Sequence, residues 1–372
     1  MKAVILDNKF TKELKEEGGE DLLSLMNHSL RELVETACRE GGLDPVPLSD
    51  LSGDEKEVFF ISVGFPLPLG EAVREFLDSG NTAFLSEEEE ILAYRWVKEE
   101  DNGDLLIQLK GQSPVFEDLV PLFDHRDGEF SGYDLGLPHI TDFASLPIAA
   151  HAIHGAVNYR FMKAGVRIDR PFDTVIDPEA KIGKGTWIQG AVRITGKTVI
   201  GEGCRITDGS EIDNSTIGNG VVIKSSVIES SVMEEGSNIG PFSHLRPQAY
   251  IGENVHIGNF VEVKKASLGR GTKAGHLAYI GDAQVGEEVN ISCGVIFCNY
   301  DGKNKHRALV GDGAFIGSNA NLVAPVEVEK EGFIAAGSTI SSKVEEGALV
   351  VERAEVKKIP GYVARRKAKG SL

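Results

Sequence analysis

From Ile182 onward the sequence keeps a beat of six. Aliphatic residues stand at Ile182, Ile188, Ile194, Ile200, Ile206 and Ile212. The beat returns at Ile239, Leu245, Ile251, Ile257 and Val263, and again at Val310, Ile316, Leu322, Val328, Ile334 and Ile340. A helix repeats every ~3.6 residues and a half-buried strand every two, so neither produces this spacing. A hexapeptide repeat does: each unit supplies one short strand and one turn, and three units close a triangular coil with its aliphatic residues pointing inward. Glycine often follows the aliphatic residue, as in "IGKGTW", "IGEGCR", "IGNGVV" and "VGDGAF", where it permits the tight corner. Stacked coils predict a parallel β-helix, of the left-handed kind such repeats form.

The interruptions locate departures from a plain stack. Steps of five fall at Ile212–Ile217, Ile223–Ile228 and Val263–Leu268, and a longer break runs from Phe297 to Val310 through "FCNYDGKNKHRALV". An insertion in a solenoid leaves the stack as a loop, and such loops gather on binding faces.

The first part of the chain has a different character. Residues 1–150 hold 32 acids against 12 bases, net -20, and the remainder 25 against 27, net +2, so the acidity behind the net charge of -18 lies in the first part. This acidity weighs against nucleic-acid binding. "KAVIL" (2–6) and "EVFFISV" (57–63) predict buried strands. Helical apolar spacing runs through 20–42 and 69–80, giving an α/β layer. "DFASLPIAAHAIHGAVNYRFMKAGV" (142–166) predicts a long helix leading into the repeats, its start blurred by Pro147. The predicted organisation is an α/β domain over 1–141, a linker helix over 142–170, a β-helix over 171–345 and a basic tail over 346–372. Four scattered cysteines without CxxC spacing, and no apolar run of membrane-spanning length, fit a cytoplasmic protein without a zinc site.

Within the repeats, "LRP", "NFVEVKKA", "KAGHLAYIGDA", "NYDG", "GSNANLVAPV" and "AAGS" occur in order. Across residues 165–355 the sequence resembles the acetyltransferase part of the bifunctional N-acetylglucosamine-1-phosphate uridyltransferase/glucosamine-1-phosphate N-acetyltransferase family. That resemblance implies a homotrimeric left-handed β-helix with sites between subunits, acting in UDP-N-acetylglucosamine and cell-wall precursor synthesis. The first part resembles the family's uridyltransferase only in outline, as a degenerate nucleotidyltransferase-like domain. "VILDNKFTKELK" stands where a glycine-rich nucleotide loop belongs, and "VGFPL" puts Gly64 where the family has a magnesium-binding aspartate. Backbone amides are poorly placed there to cradle a triphosphate, and uridyl transfer is not expected.

The expected reaction is direct N-acetylation of glucosamine-1-phosphate from acetyl-CoA as co-substrate, with no metal. It needs a base for the amine proton and cations for the phosphate. An imidazole titrates near working pH, and the resemblance assigns His276 as that base. It also assigns Arg246, Lys264 and Lys305 to the sugar phosphate, and Tyr279 and Asn290 to the sugar. Cys293, Asn299, Tyr300, Ser318, Ala336 and Arg353 match its acetyl-CoA positions. Cys293 departs from the family's alanine; a small buried hydrophobe is the simplest expectation for it, and acetyl exchange on its thiol a second. Alternatives are another amino-sugar phosphate or nucleotide amino sugar as acceptor, or a non-catalytic β-helix scaffold or regulatory protein.

Overall fold

The computed structural model of the chain describes residues 1–16, 24–25, 28–52, 55, 57–63, 73–74, 77–78, 83–85, 91–97, 116, 132–134 and 140–369. These fall into two compact units, Met1–Glu229 and Ser230–Leu372.

In the first unit, Lys2–Leu6 and Glu57–Ser62 pair in parallel, as "KAVIL" and "EVFFIS" imply, and both are buried almost throughout. Asp44–Pro45 joins one edge in parallel, and Ile91–Val97 pairs antiparallel with Glu57–Ser62. Ala83–Leu85 and Gly132–Asp134 complete a six-stranded mixed sheet. The helix expected over 20–42 is shorter, Leu30–Glu40, because Ser29 stops it. The Ser29 side chain accepts from Glu32 N–H, and the Glu32 carboxylate accepts from Ser29 N–H, a reciprocal capping box. Ser24–Leu25 and His28–Ser29 pair antiparallel before it. The helix expected over 69–80 and the Gly64 position lie largely or wholly outside the described residues.

The helix expected over 142–166 spans Ser145–Lys163. Pro147 falls in its first turn, where the missing N–H costs nothing. Ile153, Val157 and Phe161 are buried, and the Asn158 amide donates to the carbonyls of Pro171 and Thr174.

Coils of the β-helix occupy the rest of this unit and the second as far as Val350. In the first unit Ile176 pairs with Ile194 and Ile194 with Ile212 on one face, Ile188 with Ile206 on another, and Ile182 with Ile200 on the third. Each partner lies one turn of three hexapeptides away, and every pairing is parallel. Where the five-residue steps fall, the partner is one residue nearer, as in Ile200 with Ile217. The second unit repeats the three ladders: Met233–Ile251–Leu268, Ile239–Ile257–Ala274–Ile291–Ile316–Ile334 and Leu245–Val263. Across the long break Val285 pairs with Val310, so residues 299–307 leave the stack without disturbing the register. Burying each aliphatic rung is worth ~1.5–3 kcal/mol, so the ladders are the core of the coils in both units. Beyond Val350 the chain to Lys369 is exposed, including a helix over Tyr362–Ala368 that buries none of its residues.

Coil-to-coil approach is closest where two glycines face each other. A Cβ on Gly258 would collide with the carbonyl oxygen of Gly275 in the next coil, whereas a Cβ on Gly275 would meet nothing within 4 Å. We therefore expect Gly258→Ala to lower stability by at least ~2 kcal/mol and Gly275→Ala to change it by less than ~0.5 kcal/mol. Denaturant unfolding of the two variants measures the difference.

Candidate functional site

The second unit holds every residue proposed for the site, and the coils arrange them in two groups separated by a corner. His256–Lys264 and Lys273–Gly281 are neighbouring strands that both run through this corner. The turn is made by Phe260 and Leu277, whose φ values of 58° and 42° lie in the left-handed region. His276 precedes the turn and Tyr279 follows it.

On the near side, His276 is exposed, not enclosed by the small residues around it in sequence. Its Nδ1 lies 3.0 Å from Oδ1 of Asn259, its register partner one coil earlier. An amide oxygen only accepts, so this bond places the proton on Nδ1 and leaves the Nε2 lone pair available. Asn290 lies on the same side, its amide donating to Ser292 Oγ at 3.0 Å. The corner continues through later coils: Asn319 N–H donates to Cys293 O, and Gly337 N–H to Ser318 O. Cys293, Ser318 and Ala336 thus form a strip of small side chains running from the coil next to His276. Arg353 is tied to the end of that strip, donating to Ser338 Oγ at 3.3 Å. Cys293 is exposed, so the expectation of a buried hydrophobe is corrected: a corner position faces outward regardless of side-chain polarity.

On the far side stand Arg246, Lys264, Tyr279, Asn299 and Lys305. The Lys264 ammonium is held below the ordinary lysine range by the Arg246 charge first and by Lys305 second, with burial and Lys265 contributing less. Three cations therefore crowd one spot. Glu262 accepts from Arg246 at 2.9 Å and faces Tyr279 in register. Asn299 is buried, its amide donating to Asp282 Oδ2 at 2.5 Å and lying 3.4 Å from the Tyr279 hydroxyl. It stands with the sugar-phosphate candidates rather than with the strip of small residues. Tyr300 is exposed on the 299–307 loop, its hydroxyl donating to Gly302 O.

Asn259, Glu262, Asp282, Asp301 and His306 were not among the residues expected to matter. The signal for the first two was available: each lies one coil before a residue that was, and counting back along the repeat finds it.

Among the described residues no group of His, Cys, Asp and Glu is placed to hold a metal ion, and no helix is long and apolar enough to cross a membrane.

Coils, corner and outward-facing polar groups define a hexapeptide-repeat β-helix protein. Residues 230–265 match the family Bacterial transferase hexapeptide (six repeats). The chain is 48% identical over 226 residues to the Bifunctional protein GlmU of Shouchella clausii (strain KSM-K16), covering 61% of this chain and 50% of that protein. It is 46% identical over 223 residues to the Bifunctional protein GlmU of Listeria monocytogenes serotype 4a (strain HCC23), covering 60% and 49%. The similarity covers the C-terminal part of this chain, which spans about half the length of these curated relatives. A solved UDP-N-acetylglucosamine acyltransferase of Francisella novicida aligns at 21% identity with a TM-score of 0.36, over 49% of this chain and 65% of that one.

The crowding of cations yields a prediction. The folded-state pKa of Lys264 lies below its unfolded value, so the unfolded chain holds this proton more tightly. The resulting penalty is complete below the folded pKa and fades as pH rises through the ordinary lysine range. Lys264→Met removes it, and we expect a melting temperature at least as high as the parent's in phosphate-free buffer at neutral pH. Inorganic phosphate should raise the melting temperature of the parent protein and raise that of the variant much less, read by thermal unfolding with and without the anion.

Proposed function

We propose that the chain is an acetyl-CoA-dependent N-acetyltransferase acting on glucosamine-1-phosphate. The observation that carries this reading is the trio of Arg246, Lys264 and Lys305, whose mutual repulsion makes a slot for a phosphate, with Tyr279 beside it. A divalent anion relieves the repulsion and gains charge-assisted hydrogen bonds from all three. The similarity to GlmU proteins over the same part of the chain supports the choice of acceptor.

His276 is the base. With Nδ1–H donated to Asn259, Nε2 takes a proton from the acceptor's amine as nitrogen attacks the thioester carbonyl. The tetrahedral intermediate collapses by breaking the C–S bond, and the sulfur leaves as CoA thiol once protonated. The strip of Cys293, Ser318 and Ala336, exposed at its two ends and half-buried at Ser318, gives the narrow pantetheine arm a path free of bulky side chains, and Arg353 at its end suits a CoA phosphate.

Base and phosphate slot lie on opposite sides of the Phe260–Leu277 corner, so one chain alone offers two half-sites. A second copy completes each. Phe242, Phe260 and Leu277 stack in three successive coils at this corner, 62%, 54% and 57% exposed. Bulky residues rarely adopt positive φ in the open, and a column of them beside His276 fits an interface between copies. Rotational closure of a triangular prism favours a trimer.

Nucleotidyl transfer is not part of the proposal. After Lys2–Leu6, where a nucleotide loop would open, polar side chains bond to neighbouring protein groups. The buried Asn8 amide donates to Ile140 O at 2.7 Å, its oxygen accepts from Thr11 N–H, and the Asp7 carboxylate pairs with Lys15.

Purified protein supplied with acetyl-CoA and glucosamine-1-phosphate should release CoA thiol, and His276→Ala should lower that rate ~10²–10⁴-fold while leaving the oligomer intact. Absence of thiol release by the parent protein would refute the proposed activity. In the same preparation UTP and N-acetylglucosamine-1-phosphate should yield no pyrophosphate.

A further inference from the structure

The loop that interrupts the hexapeptide beat carries three bases in alternation, Lys303, Lys305 and Arg307, yet Lys305 is the one whose charge bears on Lys264. Something selects it. The loop leaves the stack after Cys298 and returns at Ala308, and an antiparallel bridge between Tyr300 and Lys305 folds it into a small hairpin. At its centre is Asp301. One carboxylate oxygen accepts from Lys303 N–H at 2.8 Å and from Asn304 N–H at 2.6 Å. The other lies 2.7 Å from His306 Nε2. The backbone closes the same ring, with Asp301 N–H donating to Asn304 O and His306 N–H to Asn299 O. These bonds, the one from Asn304 foremost and that from His306 next, hold the Asp301 carboxyl well below the usual carboxylate range, so it stays an acceptor at any working pH.

Both ends of this ring connect to the phosphate slot. Asn299, whose carbonyl receives His306 N–H, uses its side chain on Tyr279 and Asp282. Lys305 immediately precedes His306, so fixing the imidazole against Asp301 fixes the direction in which the lysine leaves the hairpin. Without the pair, side-chain anchors remain only at the loop's start, where Tyr300 holds Gly302 O and Asn299 holds Asp282, and the segment carrying Lys303, Lys305 and Arg307 loses its own. Lys264 and Lys305 carry like charges that bear on each other, so a restraint on the hairpin is needed to keep Lys305 in place before the anion arrives.

We propose that Asp301 and His306 are positioning residues that lock the 299–307 hairpin in the register that delivers Lys305 to the phosphate slot. The lock sets how tightly the anion is bound and leaves the acetyl-transfer step at His276 untouched. This rests on the acetyltransferase reading for its kinetic consequence, and on the geometry alone for its effect on phosphate binding.

The test uses full-length protein and two readouts. Calorimetric titration with inorganic phosphate reports the slot without turnover, and steady-state acetylation of glucosamine-1-phosphate reports KM and kcat. Asp301→Asn and His306→Phe should each weaken phosphate binding and raise KM for the sugar phosphate about tenfold, with kcat changed less than about twofold, a loss of the size of one charge-assisted contact. His306→Gln keeps an N–H donor toward Asp301 and should recover most of the affinity. A purely structural role would instead lower kcat, melting temperature and oligomer content together and would show no rescue by glutamine. Phosphate affinity unchanged in Asp301→Asn and His306→Phe overturns the proposal, as does a fall in kcat at constant KM. If the parent protein binds phosphate but transfers no acetyl group, the proposed function fails while the calorimetric comparison still decides the lock.

Discussion

Inward stacking of one aliphatic residue per hexapeptide is the constraint from which the rest of the second unit follows. Each rung sits above the equivalent rung of the coil before, as Ile257 sits on Ile239 and Ile316 on Ile291. Because the rungs fix the height and rotation of every coil, outward-facing residues inherit fixed columns. His276 and Asn259, or Tyr279 and Glu262, meet not through local sequence but because a full coil separates them. The close Gly258–Gly275 approach belongs to the same geometry, since these two coils meet next to the proposed base.

A scaffold this regular places charge with little freedom to relax it, and the site makes use of that. The charges of Arg246 and Lys305 both bear on Lys264, which is held below the ordinary lysine range as a result. Local destabilisation of this kind is typical of sites shaped to receive an anion. His276, the proposed base, has the opposite arrangement: one neutral hydrogen bond to Asn259, which fixes its tautomer without adding charge. The division by the Phe260–Leu277 corner then makes association of copies a condition of the proposed chemistry.

Much of this was legible in the sequence, and the reason is the repeat. A six-residue beat encodes three dimensions almost directly, so strand positions, the loop at 299–307 and the outward direction of Lys264 follow from counting. Helix boundaries were less accessible: the apolar spacing through 20–42 continues past Ser29, and only the Ser29–Glu32 capping box stops the helix at Leu30. That signal was present in the letters but outweighed by periodicity. Exposure of Cys293 was misjudged because its small size suggests burial, whereas the corner geometry turns it outward. The Asp301–His306 pair was not legible at all. It depends on how an irregular hairpin closes, and no period governs an insertion.

The central claim is that each site joins the base of one copy to the phosphate slot of another. Co-expression of His276→Ala and Lys264→Ala chains, each inactive alone, tests it through acetyl transfer by the mixed oligomers. Sites between copies predict that the mixture regains activity, since some interfaces pair an intact His276 with an intact Lys264. A mixture as inactive as either variant alone, in verified mixed oligomers, would place both groups in one chain's site and contradict the account.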